Sequence, residues 1–395
     1  MLDWRTPLRL GRPRGELHGT VLHVLVPEPA GEVGGADLHV LDLACAQSSG
    51  SALCPTVLAT SNPEYAARLN AAGLSHFPGH VFGPHTGPWF RALARLPLLL
   101  PVRIVHSHGY DANYLTYALR RLFPRRWGRI PTVMTCHGWV EDTLVHRLKT
   151  VADFFTYQTA NALIICSEGQ RQRLSGSRQR IEYVPNGVPL PTGSGVSGDL
   201  LRRRYAIPHG RPLVGIVGRL AREKRQDVFL EACRVIAGQE PDVHFLIVGS
   251  GAERKRLEAI AAKPPLRDRV TFTGLVADMA EVYAALTLLV LSSDTETTSR
   301  VVIEGMASGL PVVSTAVGGV PELLVHGKHG YLVERGDAAS IARFALLLLR
   351  DCALRERLGR SAHERAAGFS VERMRERVER VYAALLTKPS AGQRP

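Results

Sequence analysis

Short apolar runs rich in β-branched residues alternate with longer segments whose apolar positions recur at helical spacing. In the first half, strands are expected over residues 21–26, 56–60, 103–107, 132–136, 163–167 and 181–184. Helical patterns fall between them, over 36–47, 63–72, 112–122, 144–160 and 168–174. Strands that are apolar throughout, separated by helices, are the pattern of a parallel sheet covered on both faces. The texture changes at 189–198, which is rich in Pro, Gly and Ser and reads as a linker. The alternation then restarts. Strands are expected over 213–218, 245–249, 270–273, 288–292 and 311–315, with helices over 226–237, 252–262, 279–285, 300–308 and 340–350. A last helix over 371–386 carries Glu and Arg on one side and Val, Met, Tyr and Leu on the other.

The pattern predicts an α/β protein of two doubly wound domains. The boundaries are an N-terminal domain over 1–190 with a loose leader over 1–19, a linker over 191–198 and a C-terminal domain over 199–368. The terminal helix, in 369–395, packs back toward the N-terminal domain and ends in a loose tail. Two open α/β sheets in tandem bind ligands at the carboxyl ends of their strands, so functional residues are expected in the loops that follow strands.

Composition refines this only in part. Of 395 residues, 45% are hydrophobic, enough for well-formed cores. The formal charge of +13 favours an anionic partner without choosing among a nucleoside diphosphate, a nucleic acid and an acidic membrane. The six cysteines form no CxxC pair and read as reduced core thiols of a cytoplasmic protein. No apolar run reaches the ~18 residues of a membrane span. Two arginine-rich stretches, 88–96 and the cluster Arg120, Arg121, Arg125, Arg126 and Arg129 around Phe123 and Trp127, suit peripheral contact with anionic lipid. No nucleic-acid-binding module accompanies them.

Candidate chemistry concentrates in the second half. A strand ends at Gly218, and Arg219 and Lys224 follow in one loop, where a guanidinium and an ammonium can neutralise a diphosphate. Farther on, a buried strand ends near Ser292 and a helix begins near Ser299, with Glu296 before the helix and Glu304 inside it. Helix N-terminal amides hold phosphate oxygens, and carboxylates accept hydrogen bonds from sugar hydroxyls.

Glu296 and Glu304, followed by Gly309-Leu310-Pro311-Val312-Val313 and Gly318-Gly319-Val320-Pro321-Glu322, resemble the signature of retaining glycosyltransferase family 4, of the GT-B architecture. That fold sets two Rossmann-like domains facing each other across a cleft. Gly218-Arg219 and Lys224 fit the same family, as do Gly34-Gly35-Ala36-Asp37, Val105-His106-Ser107-His108, Thr135-Cys136-His137-Gly138 and Pro185-Asn186-Gly187-Val188. The resemblance implies that Arg219 and Lys224 hold the donor diphosphate, with amides around Ser299, Arg300 and Val301 adding contacts. It implies that Glu304 binds the ribose, Glu296 the donor sugar, that Gly34 and Gly35 let a loop approach the diphosphate, and that His137 lies near the reacting sugar. It also implies a nucleotide-diphosphate sugar as donor, no cofactor and no divalent metal. The acceptor would be a lipid-linked or cell-envelope glycan; a small natural product is the alternative. An epimerase and a non-catalytic sugar-nucleotide-binding subunit are the competing classes. The family usually follows its first Glu with Gly, whereas Thr297 stands here; a threonine disfavours the positive φ open to glycine, which bears on the sugar pocket.

Among the fifteen histidines, His137 is singled out because it ends a strand and precedes Gly138. His106 and His108 are expected on opposite sides of their strand. No histidine pair shows metal spacing with a carboxylate or thiol.

Overall fold

The computed structural model describes residues 19–26, 33–60, 62–79, 86–139, 144–190 and 196–387. The expected leader before residue 19, the linker residues 191–195 and the tail from 388 lie outside the described residues. The chain divides into two compact units, Met1–Gly187 with Val371–Pro395, and Val188–Ser370.

The first unit is built on a parallel sheet of β1 (Thr20–Leu25), β2 (Cys54–Thr60), β3 (Ser75–Gly79), β4 (Val102–His108), β5 (Thr132–Cys136), β6 (Ala162–Ile165) and β7 (Arg180–Tyr183). Their order is β3-β2-β1-β4-β5-β6-β7. Because successive side chains alternate between faces, Val21, Ile104 and Val133 pack with Leu43 and with Met374, Val378 and Tyr382 of the helix Val371–Leu386. Leu22, Val24 and Val105 pack on the opposite face with Leu115, Leu119 and Trp127. The edge strand β3 had no counterpart in the sequence expectation; Ser75-His76-Phe77-Pro78-Gly79 has little apolar character, and its proline is tolerable at a sheet edge. The basic stretch at 88–96 belongs to a longer helix, Thr86–Leu99, which accommodates Pro97.

The second unit carries β8 (Leu213–Val217), β9 (His244–Val248), β10 (Val270–Gly274), β11 (Leu288–Leu291), β12 (Val312–Thr315) and β13 (Gly330–Val333), in the order β10-β9-β8-β11-β12-β13. Val214, Ile216, Ile247 and Val290 face one helical layer. Leu213, Val217, Leu246 and Leu289 face another that includes Val302, Ile303 and Met306. The helix Cys352–Ala366 escaped the sequence reading because Arg and Glu dominate it and its apolar stripe is thin; Asp351 caps it by accepting the Leu354 N–H at 2.8 Å. Cys352 at its start is exposed, which corrects the reading of all six cysteines as core thiols; Cys136, Cys166 and Cys233 are buried.

In each sheet the strand order reverses once, between β1 and β4 and between β8 and β11. Loops leaving the carboxyl ends of such a strand pair diverge to opposite sides and open a crevice.

Candidate active site

At the β8/β11 reversal two loops are stitched into one structure. Gly218 turns the chain with φ at +150°. The short helix Arg222–Lys224 brings Lys224 back, and its Nζ donates to Glu296 Oε1 at 2.6 Å. Ser293 Oγ donates to the same oxygen at 2.8 Å, and the Glu296 side chain is only 9% exposed. Ser292 Oγ reaches the Lys224 and Arg225 carbonyls at 3.1 and 2.7 Å, and the Asp294 N–H donates to the Glu223 carbonyl at 2.8 Å. Arg225, held at φ +49°, bonds Asp294 at 3.3 Å and Asp227 at 3.1 Å.

The loop after β12 locks against the same segment. Thr315 Oγ1 donates to the Ser293 carbonyl at 2.7 Å, and the Gly319 N–H to the Thr297 carbonyl at 2.8 Å. Among the described residues, the positive-φ positions outside glycine are Ala206, Arg225 and Asp268, so Thr297 stays outside the left-handed region. Ser299 caps the helix Arg300–Ala307 in extended conformation, without a side-chain capping bond. Within that helix Glu304 accepts from Tyr283 Oη at 2.7 Å and from Arg300 at 3.3 Å. Burial, followed by the Glu304 charge, holds the Tyr283 phenol well above its ordinary range, so it remains a donor.

Lys224 and Glu296 are thus brought together directly, as are Arg300 and Glu304. Arg219 takes a different partner: it is 62% exposed and pairs with Glu223 at 2.8 Å. Tyr283, Ser293 and Arg225 join these contacts and were not singled out in the sequence.

In the first unit, Gly34 caps the helix Gly35–Gly50 and its N–H donates to Asp37 Oδ2 at 2.7 Å. A Cβ at Gly35 would meet nothing within 4 Å, so local packing does not require glycine there. Next to this helix lies a histidine cluster. His23 pairs in register with His106 across β1 and β4, and the rings of His106 and His108 lie 4.1 Å apart. This corrects the expectation that His106 and His108 face opposite sides: residues two apart in a strand share a face. The ring nitrogens of His23, His106 and His108, and those of His39, His108 and His137, lie within 4.8 Å of one another. The fold therefore assembles from separate elements a grouping that sequence spacing did not show.

Burial lowers His23 and His137 to about 4 and holds His106 and His108 well below the ordinary histidine value, with neighbouring imidazoles adding to the effect. Each ring accepts a proton more readily in the unfolded chain than in the folded one. The stability is therefore present above pH 6.5 and is lost as pH falls toward about 4. Each ring contributes a slope of roughly 1.4 kcal/mol per pH unit in that window. Urea unfolding at a series of pH values is expected to show the midpoint dropping steeply between pH 6.5 and 5. An unchanged midpoint across that interval would refute the assignment of neutral rings.

Comparison with known proteins identifies the family and the fold. The family described as Glycosyl transferases group 1 matches residues 198–365, and Glycosyltransferase Family 4 matches residues 33–191. The lipopolysaccharide core biosynthesis glycosyltransferase LpsE of Rhizobium meliloti is 30% identical over 305 residues, covering 76% of this chain and 84% of LpsE. N-acetyl-alpha-D-glucosaminyl L-malate synthase of Bacillus anthracis is 32% identical over 195 residues, 49% of this chain, and the match spans only 51% of that relative. The solved structure of Anabaena Alr3699/HepE in complex with UDP-glucose superposes with a TM-score of 0.80 at 20% identity, covering 93% of this chain and all of HepE. Two Rossmann-like domains with this topology have the GT-B fold, and the matched family models make the chain a glycosyltransferase of that fold. Within that class, the chain belongs to glycosyltransferase family 4.

Proposed function

We propose that this glycosyltransferase moves a hexose from a nucleoside diphosphate sugar to an acceptor hydroxyl with retention of anomeric configuration and without a divalent metal. The observation that carries the reading is the Lys224–Glu296 ion pair, held by three interlocked loops at the β8/β11 reversal. Arg219 and Lys224 balance the charge that develops on the departing diphosphate, and the amides around Ser299, Arg300 and Val301 add dipoles of the same sign. Glu296 receives a hydroxyl of the donor sugar. Glu304, oriented by Tyr283 and Arg300, receives the ribose hydroxyls. Gly34 and Gly35 leave room for the diphosphate, and His137 serves the reacting sugar. The bond from the anomeric carbon to the diphosphate breaks, the acceptor oxygen bonds that carbon on the same face, and its proton passes to the leaving phosphate oxygen. The two cations do the work that a metal does elsewhere.

For the acceptor, the match to LpsE favours a cell-envelope or lipid-linked glycan reached from the cytoplasmic face of the membrane. Leu148, Val151 and Phe155, spaced along the helix Leu144–Tyr157, are 61%, 57% and 71% exposed, an apolar stripe suited to peripheral lipid contact. Among the described residues no helix is long and apolar enough to cross a membrane.

The test is a screen of UDP-, GDP-, ADP- and dTDP-sugars against envelope-glycan and small-molecule acceptors, with and without anionic vesicles and with EDTA. Nucleoside diphosphate released in proportion to a retained-anomer product, at a rate insensitive to EDTA, is the expected result. An inverted anomer, release without glycosylated product, or loss of turnover with EDTA would each overturn the corresponding part of the reading. Glu304→Ala removes a charged acceptor from the proposed ribose site. It is expected to raise the donor KM about 10- to 100-fold, the worth of a charged hydrogen bond. An unchanged donor KM would remove Glu304 from the site.

A further inference from the structure

The hydrogen bonds of the histidine cluster have a direction. His23 Nε2 meets Gln47 Oε1 at 2.7 Å, His23 Nδ1 meets His108 Nε2 at 3.1 Å, and His108 Nδ1 meets His137 Nε2 at 3.2 Å. The Gln47 carboxamide presents its oxygen to the ring in this structure, and in that orientation, since the oxygen can only accept, His23 Nε2 carries the hydrogen at that end. A neutral imidazole has one N–H, so His23 Nδ1 must accept from His108 Nε2. By the same rule His108 Nδ1 accepts from His137 Nε2. The rings are neutral near pH 7 because burial lowers them all. The chain thus ends with His137 protonated at Nε2 and its Nδ1 an acceptor.

Further histidines flank that ring, which is half-buried. His39, held to Asn186 Oδ1 at 3.0 Å, packs edge-on against His137 with centroids 4.7 Å apart. His106 stands beside the chain, its two nitrogens on Tyr382 Oη at 2.6 Å and Thr135 Oγ1 at 2.7 Å. All six ring nitrogens of His23, His106 and His108 are therefore committed, and a metal ion could enter only by breaking these bonds. Gly138 follows at φ +115°, where the backbone leaves β5. The ring orientation of His137 and the turn that carries it are set together.

We propose that Gln47, His23 and His108 are positioning residues for sugar transfer, forming a one-way hydrogen-bond chain that fixes the tautomer and rotamer of His137. The proposal rests on the assignment of His137 to the reacting sugar given above.

Two-bond 15N–1H correlation spectra of the 15N-histidine-labelled protein read the tautomer without reference to activity. His137 should show a protonated Nε2 and an unprotonated Nδ1. Gln47→Met removes the acceptor at the chain's start and should give mixed tautomers, with kcat lower by about 10- to 100-fold and donor KM unchanged. Gln47→Glu keeps an acceptor and should retain the tautomer and the chain's direction. Its carboxylate favours the imidazolium, so an acid limb absent from the wild type should enter the kcat profile above pH 5. A wild-type spectrum with His137 protonated at Nδ1 would overturn the proposal. So would a Gln47→Met protein with unaltered spectrum and kcat, or stoichiometric zinc whose chelation shifts the histidine signals. If the tautomers are as stated but Lys224→Ala turns over normally, the sugar-transfer site is wrong while the chain stands.

Discussion

Lys224→Ala is expected to lower kcat on the order of 10²–10³-fold, the usual cost of removing one group that stabilises charge developing in the transition state. The loss should fall on kcat more than on donor KM, because the leaving diphosphate gains charge only as its bond to the sugar breaks. The fold should survive. Lys224 is 24% exposed, so water screens part of the pair, and Glu296 keeps its bond from Ser293 Oγ at 2.8 Å. A stability loss of roughly 1 kcal/mol corresponds to a few degrees in Tm. Lys224→Arg should not restore the rate fully, because a planar guanidinium cannot occupy the space of a compact ammonium 2.6 Å from Glu296. Steady-state kinetics with the best donor, alongside thermal melts, decide the matter. A kcat within about threefold of wild type in a folded protein would remove Lys224 from the transition state.

The outline of both sheets was legible because their central strands are apolar on both faces. Among the elements missed, the edge strand β3 and the helix Cys352–Ala366 have a thin apolar pattern, and the edge strand β13 is only four residues long. In the second unit, Arg219 with Lys224 and Glu296 with Glu304 were singled out because each pair sits close along the chain in a recognisable spacing. Tyr283 was not, since its helix Met279–Ala285 reads as core and its hydroxyl meets Glu304 only after the chain has crossed β11. The histidine cluster was the hardest case. His23, His108 and His137 come from the strands β1 and β4 and the end of β5, far apart along the chain. Only strand order and register put them side by side. The misplacement of His106 and His108 was avoidable, since the two-residue period of a strand is a local rule. The bonds of His23 to Gln47 and of His106 to Tyr382 were not legible, because they depend on which helices cover that face.

Gly318→Ala should be nearly as damaging as the loss of Lys224, although it removes no chemical group. Gly318 has φ +53°, and a Cβ there would lie 1.5 Å from the Glu296 carbonyl oxygen. No side chain can yield at that contact, since the obstacle is backbone. The left-handed conformation alone costs an alanine roughly 1–2 kcal/mol. The overlap must then be relieved by moving the Glu296–Thr297 peptide, whose neighbouring Thr297 carbonyl is held by the Gly319 N–H at 2.8 Å. Glu296 and its partner Lys224 move with it, and a displacement of about 1 Å in a reacting constellation costs about 10²-fold in rate. Gly309→Ala separates the two causes. Gly309 has φ +75° but nothing within 4 Å of an added Cβ, so it carries the backbone strain without the collision. Both variants should melt at lower temperature than wild type, and only Gly318→Ala should lose kcat by two orders of magnitude. Equal activity in the two would mean that the loop after β12 does not hold Glu296 in its working position.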